Sequence, residues 1–360
     1  MKYFVREIRQ GHEADKNAGS KARNDVCDIL SKDFQEILVT PKQHHAEDSG
    51  AIQKLKLHKI ISKCWSDQLM NLRNGDSIVI QFPCLEHSLF LSNVLKEVQK
   101  RGVYILLLIH DLELLRINKT NTISRQQKIR IYLEETKILK LADAIICHND
   151  DMKQFLIRLN IPEDKLVSLR IFDYLIPNFD EKKINIHTMS DPIIIAGNLA
   201  KEKSGYVYQL PSNVTFNLYG VGYKDKKSKN VVYKGSFLPD DLPFELEGSF
   251  GLVWDGPEAR TCTGAYGEYL RVNNPHKTSL YLASGLPVII WKEAAMAKFI
   301  KNHHCGICVN SLDEIHDAIK GLSSEDYVYL KTEAEKVGEK LRDGYYLNAA
   351  IHSCMQKLDK

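Results

Sequence analysis

The run Tyr104–Ile109, YILLLI, carries no charged or strongly polar side chain on either face, so a strand built from it must be covered on both sides. That is the environment of a central strand in a parallel sheet with helices above and below. Its surroundings agree. Short β-rich runs recur at residues 3–5, 36–39, 77–82, 103–109, 144–147 and 166–169. Amphipathic stretches of helical period lie between them, at 20–30, 52–72, 88–100, 124–141 and 151–159. Strands alternating with such helices imply βαβ units.

The alternation lapses over residues 179–191, a polar stretch without period, and then resumes. A second set of strand-like runs lies at 192–196, 215–219, 231–233, 250–254, 287–291 and 307–309, and residues 325–358 are helical but for a break at Asp343-Gly344. A chain of 360 residues is too long for one ordinary core. The expected organisation is therefore a first α/β domain over 1–178, a linker over 179–191 and a second α/β domain over 192–344. A terminal helix over 345–360 is expected to cross back to the first. Two doubly wound domains bind ligands beyond the carboxyl ends of their strands, in a cleft between them.

Composition closes several other routes. Lys and Arg number 49 against 46 Asp and Glu, a balance without the basic excess of a duplex-binding protein, so no nucleic-acid partner is expected. No apolar run approaches the ~18–20 residues of a membrane span. The opening MKYFVREIR places charge where a signal peptide would be apolar. The eight scattered cysteines read as reduced thiols, which makes the cytoplasm the expected location. His303-His304-Cys305-Gly306-Ile307-Cys308 suggests metal ligands. A closed zinc site needs four placed donors, and no second pair lies at a suitable spacing, so no metal is expected.

The most informative segment is NNPHKTSLYLASGLPVIIW, residues 273–291. Asn274 is a candidate helix cap, Pro275 suits the first turn, Gly285 the C-terminal cap, and Pro287 ends the helix. His276, Lys277, Thr278 and Ser279 then sit on a first turn whose free N–H groups and dipole favour an anion, with Lys277 adding a charge and Thr278 a hydroxyl. An ordinary surface helix start is the plainer alternative. Asp255, in VWDG, ends a buried strand and is either a ligand-facing acid or a turn former. Asn198 and Lys201 follow the first strand of the second domain; Lys201 is either a phosphate contact or solvated. In the first domain His110-Asp111 ends the central strand, where the pair can act as a base or serve as packing and cap. Gly19 and Ser20 start a helix after the loop that holds Asp15. No DxD, Walker loop or complete GxGxxG is present.

Taken together, AGSKARNDVCDI, LIHDLELLR, SLRIFDYL, IIAGNLAKEKS, FNLYGVGY, YKGSF and the long block FGLVWDG…TCTGAYGEYLRVNNPHKTSLYLASGLPVIIW resemble bacterial GT-B glycosyltransferases. The closest likeness is to β-1,6-galactofuranosyltransferases of O-antigen and capsule clusters. The accessory glucosyltransferases of streptococcal adhesins are more distant. The resemblance implies two Rossmann-like domains and a UDP-sugar donor, UDP-galactofuranose, without metal or other cofactor. It implies that Lys201 meets the diphosphate, Tyr233 lies at the nucleotide, residues 274–279 wrap the diphosphate, and Gly19 with its neighbours closes the site. Many GT-B enzymes place a ribose-binding glutamate where this chain has Ser279-Leu280-Tyr281-Leu282, so Glu268 or backbone groups must substitute.

A β-galactofuranoside made from an α-linked donor requires inversion, hence a base on the acceptor hydroxyl and stabilisation of departing UDP. Asp111 with His110 is the first choice of base, Asp15 and Glu268 the reserves. The implied acceptor is a lipid-linked or protein-linked glycan in cell-surface polysaccharide synthesis, met at the inner face of the plasma membrane. A homo-oligomer is compatible with the sequence. Residues 54–65 mix lysines with apolar residues at helical spacing; a helix packed on the sheet is the favoured reading and a peripheral membrane contact the other. The rival functions are transfer of another UDP-hexose such as UDP-glucose, a GT-B-shaped UDP-sugar epimerase, and a non-catalytic partner of another transferase.

Overall fold

A computed structural model describes residues 1–8, 18–41, 51–86, 88–117, 124–224 and 228–358. The chain divides into two compact units. One comprises Met1–Asp15, Val26–Leu169 and Asn348–Lys360, the other Lys16–Asp25 and Arg170–Leu347.

In the first unit, β1 (Lys2–Glu7), β2 (Gln35–Val39), β3 (Ser77–Phe82), β4 (Tyr104–Ile109), β5 (Ala144–Cys147) and β6 (Leu166–Ser168) form one sheet. Its order is β2-β1-β3-β4-β5-β6, with every pairing parallel. The helices are the end of α1 (Ala18–Leu30), α2 (Ala51–Gln68), α3 (Leu91–Lys100), α4 (Glu113–Ile117), α5 (Arg125–Leu141) and α6 (Asp150–Arg158), the first part of α1 belonging to the second unit. As its composition requires, β4 lies inside the sheet and is fully covered from Ile105 to Ile109. Trp65, Leu95 and Leu139 from three helices, with Leu69 just after α2, pack with Ile78, Ile80, Ile105 and Leu107 in one cluster. Each such side chain contributes roughly 1.5–3 kcal/mol of burial.

The second unit repeats the plan with β7 (Ile193–Asn198), β8 (Phe216–Val221), β9 (Val231–Gly235), β10 (Gly251–Val253), β11 (Val288–Trp291) and β12 (Gly306–Val309). Their order is β12-β11-β10-β7-β8-β9, again all parallel. Its helices are α7 (Lys201–Ser204), α8 (Leu242–Glu245), α9 (Gly264–Tyr269), α10 (His276–Ala283), α11 (Met296–Asn302), α12 (Ile315–Lys320), α13 (Ser324–Arg342) and the start of α14 (Tyr345–Leu358). The aromatic side chains of Trp254, Trp291, Tyr206, Tyr219, Tyr281 and Phe250 are buried here. Gly220 stands at φ +139° where β7 and β8 converge, and a Cβ there would lie 1.8 Å from the Gly197 carbonyl oxygen. That close approach excludes any side chain.

The division falls elsewhere than at the expected linker. The chain enters the second unit at Arg170, and 179–191 lies within that unit. The cause is a set of hydrogen bonds that periodicity does not reveal. The Arg170 and Phe172 carbonyls accept from Asn274 Nδ2 (3.0 Å) and Ser279 Oγ (2.6 Å), while Tyr174 N donates to Leu341 O (3.2 Å). At the other end, residues 345–347 stay with the second unit and the first resumes at Asn348.

All eight cysteines are free. His303 to Cys308 runs from the end of α11 through a turn into β12, with the His303 ring stacked on Phe299. Among the described residues no cluster of potential metal ligands occurs, and no helix is long and apolar enough to cross a membrane.

Candidate active site

Helix α10 begins one residue later than an Asn274 cap would place it. Pro275 occupies the N-cap position, with extended backbone and no side-chain cap bond. Its carbonyl takes the Thr278 N–H at 2.9 Å. Asn274 is buried and its amide is committed to the Arg170 carbonyl, so it anchors the preceding chain and does not cap. The far end follows the sequence closely. Gly285 stands at φ +72°, its N–H meets Leu282 O, and Leu286 N–H meets Tyr281 O, the paired bonds of a Schellman motif.

Lys277 projects from this first turn onto the exit of β10. Its ammonium donates to the Trp254 carbonyl and to Asp255 Oδ1, both at 2.9 Å. Asp255 and Lys277 are thus one ion pair, largely withdrawn from solvent. Two ammonium hydrogens are engaged and a third can serve an anion. The Ser279 hydroxyl is spent on Phe172 O. The Thr278 hydroxyl is fully buried without a partner among the described residues.

His276 faces the core. Its ring lies against Tyr174 (centroids 5.0 Å) and edge-on to Phe172 (6.2 Å). Burial, then the nearby Lys21 charge, hold the imidazole down at about 3, so it is neutral. It is a wall of the site, not a cation in it. The first turns of α1 reach the same place. Lys21 donates to Asp25 Oδ1 (2.6 Å) and Leu175 O (2.7 Å), pairs with Asp240 (2.6 Å), and lies 5.0 Å over the Tyr174 ring. Gly19 and Ser20 therefore begin a helix whose start belongs to the second unit.

Around the exits of β7, β8 and β9 the residues are more open. Asn198 Oδ1 accepts from Ala200 N at 2.9 Å, shaping the turn into α7, where Lys201 is exposed. Tyr233 donates to Gly220 O at 2.8 Å, and Tyr223 lies between Tyr208 and Tyr233 at 5.8 and 5.6 Å. The three rings form a series beside the turn, with Tyr233 exposed.

The proposed bases stand apart in character. His110 Nε2 meets Gln81 Oε1 at 2.7 Å, and Asp111 Oδ1 accepts from Leu112 N, both at the carboxyl edge of the first unit's sheet. His148, after β5, bonds the backbone at Ile109 and His110, and burial lowers it to about 4. Glu135 takes the Glu113 and Leu114 N–H groups at the start of α4, and burial raises it to about 7. Glu268 pairs with Arg271 (3.2 Å), whose guanidinium also meets Glu293 and lies 4.5 Å over Trp291. Asp15 lies outside the described residues.

With this geometry in view, the comparisons with known proteins are decisive. The N-terminal domain model of the glucosyltransferase 3-like family matches residues 2–171 and its C-terminal domain model residues 193–354. The chain belongs to the glucosyltransferase 3-like family. It is 32% identical over 360 residues to the β-1,6-galactofuranosyltransferase WbbI of Escherichia coli (strain K12), covering 99% of each chain. Glucosyltransferase 3 of Streptococcus gordonii is 23% identical over 278 residues, 76% of this chain and 77% of that one. Among solved structures, sucrose-phosphate synthase from Thermosynechococcus elongatus superposes with a TM-score of 0.61 at 12% identity, covering 99% of this chain and 98% of that one. Anabaena HepE in complex with UDP-glucose gives 0.53 at 11%, covering 100% and 98%. The family member described here is a glycosyltransferase with the GT-B fold.

The sequence singled out both Asp255 and Lys277 but not their pairing. It missed Lys21, Tyr174 and His148. Lys21 and Asp25 carry a faint signal, an i,i+4 Lys–Asp pair in a helix with several apolar residues. The others have none.

Proposed function

We propose that this transferase moves a hexose, galactofuranose, from a UDP donor to a glycan acceptor with inversion at the anomeric carbon and without a metal or other cofactor. The carrying observation is the Lys277 ammonium fixed at the start of α10 by Asp255 and the Trp254 carbonyl. A helix start with unpaired N–H groups and a positioned cation suits a diphosphate leaving group. Lys201, Asn198 and the start of α1 at Gly19 and Ser20 supply further polar groups, and the Tyr208–Tyr223–Tyr233 series a face for a base. Full-length identity to a β-1,6-galactofuranosyltransferase supports the furanose donor.

In the reaction the acceptor oxygen bonds to the anomeric carbon as the bond to UDP breaks. A carboxylate takes the hydroxyl proton, and UDP departs with the electron pair. Asp111 is the proposed base, with His110 beside it held by Gln81. Glu268 is less suited because Arg271 engages its carboxylate. A glycan on a lipid or protein carrier in cell-surface polysaccharide synthesis is the proposed acceptor.

The test is a donor screen with UDP-galactofuranose, UDP-galactose and UDP-glucose, the product linkage read by NMR. A β-furanoside from the first donor is expected, and Asp111→Asn should keep UDP binding while losing on the order of 10²–10⁴-fold in turnover. The streptococcal relatives make UDP-glucose the competing donor. An α-pyranoside product, or undiminished turnover in the variant, rejects the corresponding part.

A further inference from the structure

The near balance of charge over the whole chain conceals a segregation within the first unit. Helices α2, α3 and α5 follow one another in its helical layer, α3 touching both neighbours. Together they hold eleven Lys and Arg against four Asp and Glu, an excess more than twice the net +3 of the entire chain. Helix α13 is the internal control. Its 19 residues hold five acidic and four basic side chains, the mixed pattern of an ordinary solvated helix. On α2 the only acid is Asp67.

Some apolar residues of this layer also point outward. On α2, Ile61 and Trp65 face the core. Ile52, Leu55, Lys56, Lys59, Lys63 and Ser66 recur at the spacing of the opposite stripe, and all six are exposed, Ile52 at 74%. On α5 the exposed positions include Ile129 and Leu133, one turn apart at 51% and 59%, with Arg130 and Lys137 beside them. A solvated helix has no reason to place isoleucine and leucine at the centre of its lysine stripe. Between α2 and α3 lies a shallow groove of about 340 Å³, lined by Lys59, Ser62, Lys63, Ser66, Phe90 and Val94. Two ammonium groups above an apolar floor match the phosphate and the first carbons of a lipid.

We infer that the outer face of α2, α3 and α5 is a docking surface for an anionic phospholipid bilayer. The lysines lie among the headgroups, and Ile52, Leu55, Ile129 and Leu133 enter the interface beneath them. The occupant follows from charge complementarity. A positive face with interleaved apolar side chains is repelled by a second copy of itself and attracted to an acidic lipid surface. The contact is peripheral, since none of the described helices can cross a bilayer. It is independent of the donor reading, because binding to vesicles needs neither donor nor acceptor.

The experiment is co-sedimentation of the full chain with vesicles of equal phosphatidylglycerol and phosphatidylcholine, and with pure phosphatidylcholine, at low and high salt. Binding to the acidic vesicles alone, weakened by salt, is expected. Lys59→Gln with Lys63→Gln should lower the partition coefficient by about twenty-five-fold, from roughly fivefold per lysine. Ile52→Ser with Leu55→Ser should weaken binding at both salt concentrations. Lys331→Gln with Lys336→Gln on α13 should change it less than about twofold. Five of the six positions are exposed and Lys331 is half-buried, its ammonium 3.4 Å from the His187 carbonyl, so circular dichroism should stay unchanged. Equal binding to neutral vesicles, no binding to acidic ones, or α2 variants that bind like the wild type would overturn the inference. So would sedimentation velocity showing a dimer that the α2 lysine variants dissociate.

Discussion

Lys277 shows how far single residues are legible. Its position on a helix first turn follows from Pro275 and Gly285, which bracket the helix in the sequence. Its partner does not, because Asp255 lies on another strand and only the fold brings the carboxylate to 2.9 Å. The pairing matters for ligand binding. A lysine free in solvent loses side-chain entropy when it grips a phosphate, whereas this one is already held by two acceptors. Lys277→Ala should weaken UDP binding by at least about tenfold, the scale of one charge-assisted hydrogen bond. Calorimetry on the folded variant measures it, and unchanged affinity would remove the helix start from the donor site. Lys277→Arg should not restore full affinity, since a planar fork cannot reproduce both short bonds from one point.

At the scale of elements, α10 was readable at its C-terminal end, while its first residue and its sides were not. The Schellman bonds at Gly285 are local chemistry. Three other features need tertiary neighbours: Tyr281 Oη accepting Ala196 N–H at 2.7 Å, Ser279 bonding Phe172 O, and His276 seated on Tyr174. The first fixes the turn at Tyr281. That turn of the helix is buried and closes onto β7. His276 gives the helix a measurable pH signature. Its folded value near 3 lies below the ordinary value near 6.5, so protons bind the unfolded chain first. Its contribution is complete above about pH 6.5 and is lost as pH falls toward 3, at up to about 1.4 kcal/mol per pH unit. His276→Gln should therefore cost most at neutral pH and progressively less on acidification. Denaturant unfolding at several pH values checks this, and a pH-independent difference would contradict a buried neutral imidazole.

For the whole molecule, the two series of six strands were legible because short apolar runs alternate with stretches of helical period. The points where the chain changes units were not, because they depend on hydrogen bonds between residues distant in sequence. Asp173 makes the clearest case. Its carboxylate accepts the Tyr346 N–H at 3.1 Å and the Leu347 N–H at 2.7 Å, so it holds the start of α14 immediately before the chain leaves the second unit. Removing it leaves two buried donors unpaired, and Asp173→Ala should cost about 2–4 kcal/mol. Asp173→Asn keeps an acceptor oxygen and should cost less at neutral pH. The two variants also differ from His276→Gln in the direction of their pH dependence. Burial raises the Asp173 carboxyl to about 7, so the folded chain keeps a proton that the unfolded chain releases near 4. That contribution is fullest below about pH 4 and declines as pH rises to 7, opposite to the histidine. The deficit of Asp173→Asn should accordingly shrink as pH rises through this window, while that of His276→Gln grows. Parallel unfolding series for the two variants would separate the groups, and deficits moving in the same direction would show that one of the two burial assignments is wrong.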